Sequence, residues 1–548
     1  LFTAEALAKP SEISTRRTRH QRALRFFESL RRGFARASAV KRLAATLIFL
    51  AALLGGVALW QHRNASHPGT AVLTVFCAAG LKVPVEAAAQ QYQRETGAKV
   101  QLQYGGSGTL LGQLRAAKVG DIFIASDDDT VGDARKAGVI REVLPLAKQK
   151  PVIAVRAGNP KNIRTVADLL RDDVKLALAN PEAASISRVA RIVLGDTWPK
   201  LAAHATVMKP TVTDIAGDLQ LGTVDAAIVW DSVAAQFKAE AVAVPELSAR
   251  SENASACVTE FCMQSAAALH FARWLAAPEK GGAVFKSNGF TPAGGDVWAD
   301  KPELILYSGG VNRPAITELL KQFADREGVT VTTVFNGCGI LCASMKTMGG
   351  ADDPKFPDAY FACDLCFVPP VADMFPEAVI LTQTDIGIVV KHGNPRGVKT
   401  LADLAQPNLR VGLCNAEQST LGYMTRGMLK SSGLNDSVRK NVVVEAPTAD
   451  LLVTQLRAGA LDATIVYRVN VLAAAGEHLD FLPIQHEGAK AVQPFSVRTS
   501  SPNAQLGQRL LIFLKANRAK FEQAGFQWRG EEAIPSKDIK VPDWLKDK

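Results

Sequence analysis

What most constrains the fold of this 548-residue chain is that it contains one pattern twice. The run LTVFCAAGLK from Leu73 returns as LILYSGGVNR from Leu304, about 230 residues later. Further matches follow in the same order: VQLQYGGSGTL with VTTVFNGCGIL, DIFIASD with DAYFACD, VRAGNP with VKHGNP, TVADLL with TLADLA, LALANPEAAS with VGLCNAEQST, DAAIVWDSV with DATIVYRVN, and finally SNGF with QAGF. Solenoid units return every 20–50 residues or so, whereas this spacing is that of a duplicated domain. Any backbone proposed for one half must therefore serve the other.

Within each half, short apolar runs alternate with amphipathic ones. AAAQQYQRETG and ELLKQFADREG both stop at a glycine, Gly97 and Gly328, the usual helix terminator. Strands alternating with helices predict lobes of α/β class with parallel sheets. The loops after the strands are rich in Gly, Ser, Thr and Asn, which suits ligand contact at the carboxyl ends of the strands. The halves divide near Ala299–Pro302, giving domains at 72–300 and 301–548.

The formal charge of +10 invites a nucleic-acid reading, and its location argues against one. Residues 1–42 carry eleven Lys/Arg and three Glu, so +8 sits in this tail and only +2 is left for the rest. No basic, aromatic-lined groove is expected on the folded part. Residues 43–60, LAATLIFLAALLGGVALW, hold no charge. As a helix they would span roughly 27 Å, close to a bilayer core. The basic flank predicts a cytoplasmic N-terminus, with Trp60 at the interface. A cleaved signal peptide is the alternative, with Gly56-Val57-Ala58 as its weak cleavage site; 42 residues ahead of the apolar run is long for one. The sequence opens on Leu1, so an upstream start is expected. The reading is thus a cytoplasmic tail (1–42), a transmembrane helix (43–60), a linker (61–71) and a bulk outside the cytoplasm, in a bacterial inner membrane.

These motifs, covering about residues 72–295 and 303–530, resemble the periplasmic molybdate-binding proteins. That group of type II substrate-binding proteins also serves sulfate and tungstate. The resemblance implies two tandem type II periplasmic-binding-protein domains, each of two α/β lobes joined by a hinge and closing on a ligand. It also implies a small oxyanion as ligand and an ABC permease, or other membrane-complex subunits, as partner. In that family neutral donors hold the anion: small hydroxyls, backbone N–H groups at helix N-termini and one aromatic hydroxyl. Oriented amides and helix dipoles can solvate a buried anion in this way without a fixed cation.

The matching positions in the first half are Gly80 and Leu81 in the first loop, Ser107, Ser126, Ser185 and Ser187, with Trp230 at the aromatic place. Two features depart from the family. The first loop offers no hydroxyl, and Trp230 can only donate, through its indole N–H. Lys82 beside the first loop is either an added cation or a solvated lysine. Helix N-capping is the plain alternative for Ser107 and Ser185, and it is the expected role of the Asp127-Asp128-Asp129 run.

The second half replaces hydroxyls by thiols. Cys338 aligns with Ser107 and Cys363 with Ser126, while Cys342 and Cys366 complete a C-x3-C and a C-x2-C. Cys414 comes from a strand end of the other lobe. Three readings stand: one or two disulfides, a four-thiolate site for Zn, Cu or an iron–sulfur cluster, or a redox-active dithiol. All three argue against hard oxyanion chemistry there. Tyr467 keeps the aromatic place, either lining the pocket or packing in the core. Cys257 and Cys262 suggest a local disulfide, and Cys77 a buried small side chain.

No enzyme signature is present. The eight His lie outside any zinc spacing, and there is no phosphate-binding loop or nucleophile elbow. The leading expectation is a membrane-anchored, non-catalytic binding protein for a small oxyanion, its second domain diverged to a metal or disulfide site. The rival is a structural or redox subunit of a membrane assembly that uses the same fold as scaffold.

Overall fold

A computed structural model describes residues 71–348, 353, 355–473 and 479–545. The basic tail, the apolar run 43–60 and the linker up to residue 70 lie outside the described residues. Among the described residues no helix is long and apolar enough to cross a membrane.

Each half places its opening strand second from the edge of a sheet, between two parallel neighbours. Val72–Ala78 pairs in parallel with Lys99–Gly105 on one side and Ile122–Ala125 on the other. Side chains alternate across this sheet: Val75, Cys77, Ile122 and Ile124 pack on one face, Phe76, Phe123 and Ala125 on the other. Burial on both faces explains why these strands read as continuous apolar runs. A five-stranded sheet forms the second lobe, with Leu176–Ala179 parallel to Val207–Lys209 and to Ala226–Trp230.

The all-parallel expectation needs one correction. Ile140–Gln149 and Glu252–Thr259 run antiparallel in the first sheet, and Pro151–Val155 runs antiparallel in the second. Ile140–Gln149 leads directly into Pro151–Val155 and so carries the chain across from one lobe to the other. In the second half the corresponding strand is unbroken. Glu377–Lys391 pairs with Lys490–Val497 through its first part and with Ala463–Tyr467 through its last, joining both sheets into one of eleven strands.

The two first-lobe helices end alike. Gly97 (φ 77°) and Gly328 (φ 67°) sit in the left-handed region that terminates Lys82–Thr96 and Arg313–Glu327. A further shared contact follows at their starts: Lys82 lies 5.3 Å from the Tyr104 ring and Arg313 4.8 Å from the Phe335 ring.

A buried ionic group joins the halves. Glu327 accepts from Arg509 Nε at 2.8 Å and from Arg273 Nη1 at 3.3 Å, and its carbonyl accepts from Arg273 at 2.7 Å. All three side chains are almost fully buried. Asp296 accepts from the N–H groups of Gln505 and Leu506, at the start of the helix carrying Arg509.

The C-terminal tail ties together the two lobes of the second half. Ala533–Pro535 pairs with Glu377–Val379 in the first lobe. The tail then reaches the second-lobe helix Thr420–Ser431, where Tyr423 Oη donates to Leu545 O at 2.8 Å. Trp544 lies over Gly427, where a Cβ would come within 3.1 Å of the ring.

Candidate ligand-binding clefts

In the first half, three loops from two lobes meet at three hydroxyls. Ser107 opens the helix Ser107–Ala117, Ser126 follows the strand Ile122–Ala125, and Ser185 opens Ser185–Leu194 in the opposite lobe. Ser126 Oγ lies 3.0 Å from Ser107 Oγ and 2.6 Å from Ser185 Oγ, and all three residues are at most 4% exposed. Neither Ser107 nor Ser185 caps its helix: Gly106 and Ala184 take the N-cap positions, and no side-chain cap bond is made. The hydroxyls are thus turned toward one another, beside two helix N-termini whose dipoles favour negative charge.

Glycines allow the lobes to approach this closely. A Cβ on Gly106 would collide with the Ala183 carbonyl, and one on Gly108 with that of Glu182. With no Cβ there, Gly108 N–H donates across the cleft to Ala183 O at 3.0 Å. Gln149, at the strand crossing, braces the site by donating to Ser126 O (2.7 Å) while accepting from Ser232 (3.1 Å). Sequence reasoning missed both Gln149 and these glycines.

The remaining expected positions lie around this group. Gly80 packs against Val212, Val233 and Trp230 of the opposite lobe, so the first loop makes an apolar seal. The Leu81 side chain belongs to the first lobe's core and Trp230 to the second's. Ser187 is fully buried, and its hydroxyl has no partner among the described residues. Lys82 is exposed over the Tyr104 ring, as a solvated lysine would be. Asp127 caps the helix Asp128–Lys136, accepting from Thr130 N–H at 2.8 Å, and burial pushes its carboxyl up toward the neutral form.

The second half repeats this plan with sulfur. Gly337 and Gly339 face the Gln418 and Glu417 carbonyls as Gly106 and Gly108 face theirs. Cys338 opens the helix Cys338–Thr347, and its Sγ lies 3.0 Å from Cys363 Sγ. Cys363 N–H donates to Cys338 Sγ at 3.1 Å. Thr420, aligned with Ser185, brings its hydroxyl beside both sulfurs. Thr420 Oγ1 and Tyr467 Oη are buried without hydrogen-bond partners among the described residues. Burial, then the neighbouring Cys363 and Cys338, raises Tyr467 well above the usual phenol range.

The four thiols expected to act together divide into a close pair and two outliers. Cys342 Sγ turns toward Phe367 O (3.5 Å) and Tyr360 Oη (3.6 Å), and Cys366 lies in the short 3-10 turn Leu365–Phe367. Among the described residues no group of three or more His, Cys, Asp or Glu is placed to hold a metal ion. The four thiols are thus not gathered into one such group, and one helical turn directs Cys342 toward Phe367 O and Tyr360 Oη.

The family model for bacterial extracellular solute-binding proteins matches residues 73–291 and again 304–527, more than half of the chain. The chain belongs to this family. Among curated relatives of this solute-binding protein is a binding protein of Haemophilus influenzae, 32% identical over 162 residues. The match takes in 29% of this chain and 66% of that one, just under two thirds of its length. The molybdate-binding protein ModA of Mycobacterium bovis is 27% identical over 213 residues, covering 37% of this chain and 80% of that protein. Among solved structures, the periplasmic molybdate-binding protein of Azotobacter vinelandii is 19% identical with a TM-score of 0.35, covering 40% of this chain and 98% of that one.

The remaining cysteines of the solute-binding protein are buried free thiols. The disulfide expected between Cys257 and Cys262 is not formed. Cys257 packs on the sheet face of Phe76 and Phe123, while Cys262 packs with the opposite face and donates to Asp121 Oδ1 at 3.3 Å. Burial pushes both thiols up to about 12. Cys77 is a buried core residue, as expected. Thr420 was missed, although the aligned runs NPEAAS and NAEQST hold the signal for it.

Proposed function

We propose that the first half of this chain binds a small tetrahedral oxyanion of the molybdate, tungstate or sulfate class, and that the second half is a diverged, thiol-lined relative of that site. The carrying observation is the meeting of Ser107, Ser126 and Ser185 from two lobes, buried and free of capping duty, at two helix N-termini. Neutral hydroxyls and dipoles suit a dianion that must also be released. On entry the anion exchanges the serine–serine hydrogen bonds for bonds to itself, so closure depends on its differential affinity for the closed state. The apolar run 43–60 anchors the protein at the outer face of the membrane, and an ABC-type permease accepts the ligand. The role is binding and delivery without catalysis. One observation, the close thiol pair of the second half, favours a second reading as a redox or structural subunit of a membrane assembly.

A thermal-shift series on the full chain tests the ligand class. At a free concentration one hundred times Kd, a ligand that binds only the folded state adds about 2.7 kcal/mol. Molybdate, tungstate or sulfate should raise Tm, with chloride at matched ionic strength as control. A Tm unmoved by every tetrahedral oxyanion at millimolar concentration contradicts the proposal.

A further inference from the structure

Three observations single out Cys338 and Cys363. Their sulfurs lie 3.0 Å apart, about 1 Å from the roughly 2.05 Å of a disulfide bond, a gap that side-chain rotation can close. The backbone has made room for them: where the first half carries Ala78, the second carries Gly309, and a Cβ there would collide with Cys363 Sγ. Exchanging serine for the larger cysteine is thus matched by loss of a methyl group beside it. Finally, Cys342 Sγ turns toward Phe367 O and Tyr360 Oη, and among the described residues no hydrogen bond joins Cys342 or Cys366 to the pair.

We propose that Cys338 and Cys363 form a reversible dithiol–disulfide couple, oxidised by exchange with a small-molecule disulfide when the lobes of the second half part. This rests on the thiol-lined reading above and commits it to one pair and one reaction. Cys338 thiolate attacks one sulfur of the small disulfide, forming a mixed disulfide and releasing one thiolate. Cys363 then attacks Cys338 Sγ and expels the second. The two protein thiols lose two electrons and two protons, and both pass to the small disulfide, which leaves as two thiols.

The surroundings suit these roles. Burial pushes the Cys338 thiol up, but the hydrogen bonds from Cys363, with the Tyr360 and Thr420 hydroxyls close by, outweigh it and hold Cys338 below the usual thiol range. Cys363 is held up by its hydrogen bond to Cys338 and by burial. Cys338 also sits at the N-terminus of a ten-residue helix, which favours the thiolate. Cys338 is 0% and Cys363 4% exposed, and Thr420 of the opposite lobe lies beside both, so a reagent reaches them only after opening. The state of the pair therefore reports whether the second cleft has opened.

The test uses the full chain equilibrated with oxidised glutathione, acid-quenched, alkylated and mapped by peptide mass. The expected result is loss of two of the eight thiols, one cross-link joining the Cys338 and Cys363 peptides, and full recovery with dithiothreitol. Cys363→Ser should trap glutathione on Cys338, and Cys338→Ser should abolish the cross-link. Both variants restore the first half's own residue, so folding is preserved. Cys342→Ser and Cys366→Ser should leave the cross-link unchanged. Alkylation of the pair should be at least about tenfold slower in the native protein than in urea, as closed-state protection requires. Eight thiols surviving oxidation, or a cross-link to any other cysteine, overturns the couple. One equivalent of zinc or copper on the pair overturns it too, while leaving the thiol-lined reading intact. A second equivalent of molybdate bound in this half would overturn that reading itself.

Discussion

Replacing Ser107 and Ser185 together by alanine should weaken oxyanion binding by about 2–6 kcal/mol, roughly thirtyfold or more, at about 1–3 kcal/mol for each lost buried bond. The two hydroxyls come from opposite lobes and both reach the site through Ser126 or beside it, at 3.0 and 2.6 Å. Neither supports its own helix, since the N-cap positions are Gly106 and Ala184. With the cleft open and water free to pair with Ser126, their removal should lower unliganded stability by less than it lowers ligand affinity, which is not the pattern of capping residues. Calorimetric titration together with a melt of the unliganded variant separates these cases. A large fall in unliganded Tm with unchanged affinity would return both serines to a structural role.

The largest expected effect on stability lies between the halves. Glu327→Ala should destabilise the chain by about 3–5 kcal/mol, because it leaves Arg273 and Arg509 as buried cations without their shared anion. The two arginines are not equivalent. Burial drives Arg273 down to about 10, and its Nε and Nη2 have no partner among the described residues, whereas Arg509 makes two bonds to the carboxylate. Arg273→Met should therefore cost much less than Glu327→Ala, since a neutral Arg509–Glu327 pair survives. Urea unfolding midpoints of the two variants check the order, and equal losses would show that the group does not act through charge balance.

Much of the fold was legible because the duplication tests every assignment twice. A strand proposed at Leu73 had to work at Leu304, and the terminators Gly97 and Gly328 marked the same helix end. The antiparallel crossing strands were not legible, since strand direction depends on where the chain passes between lobes. The alignment of Ser107 with Cys338 and of Ser126 with Cys363 holds in the structure, where Ser107–Ser126 and Cys338–Cys363 each lie 3.0 Å apart. What it could not fix was side-chain direction. A shift of one residue decides whether Ser107 caps its helix or faces the cleft, and one turn decides whether Cys342 joins Cys338. Leu81 and Trp230 likewise turn into lobe cores, although their backbones flank the cleft.

One oxyanion cleft and one thiol cleft in a chain built from two copies of one fold give a simple stoichiometry. Its most direct test is the number of molybdate, tungstate or sulfate ions bound per full chain at saturation, measured by isothermal titration calorimetry. One equivalent is expected, lost in the Ser107→Ala, Ser185→Ala double variant and retained in Cys338→Ser. Two equivalents, or one that survives the serine changes and disappears with Cys338, would contradict it.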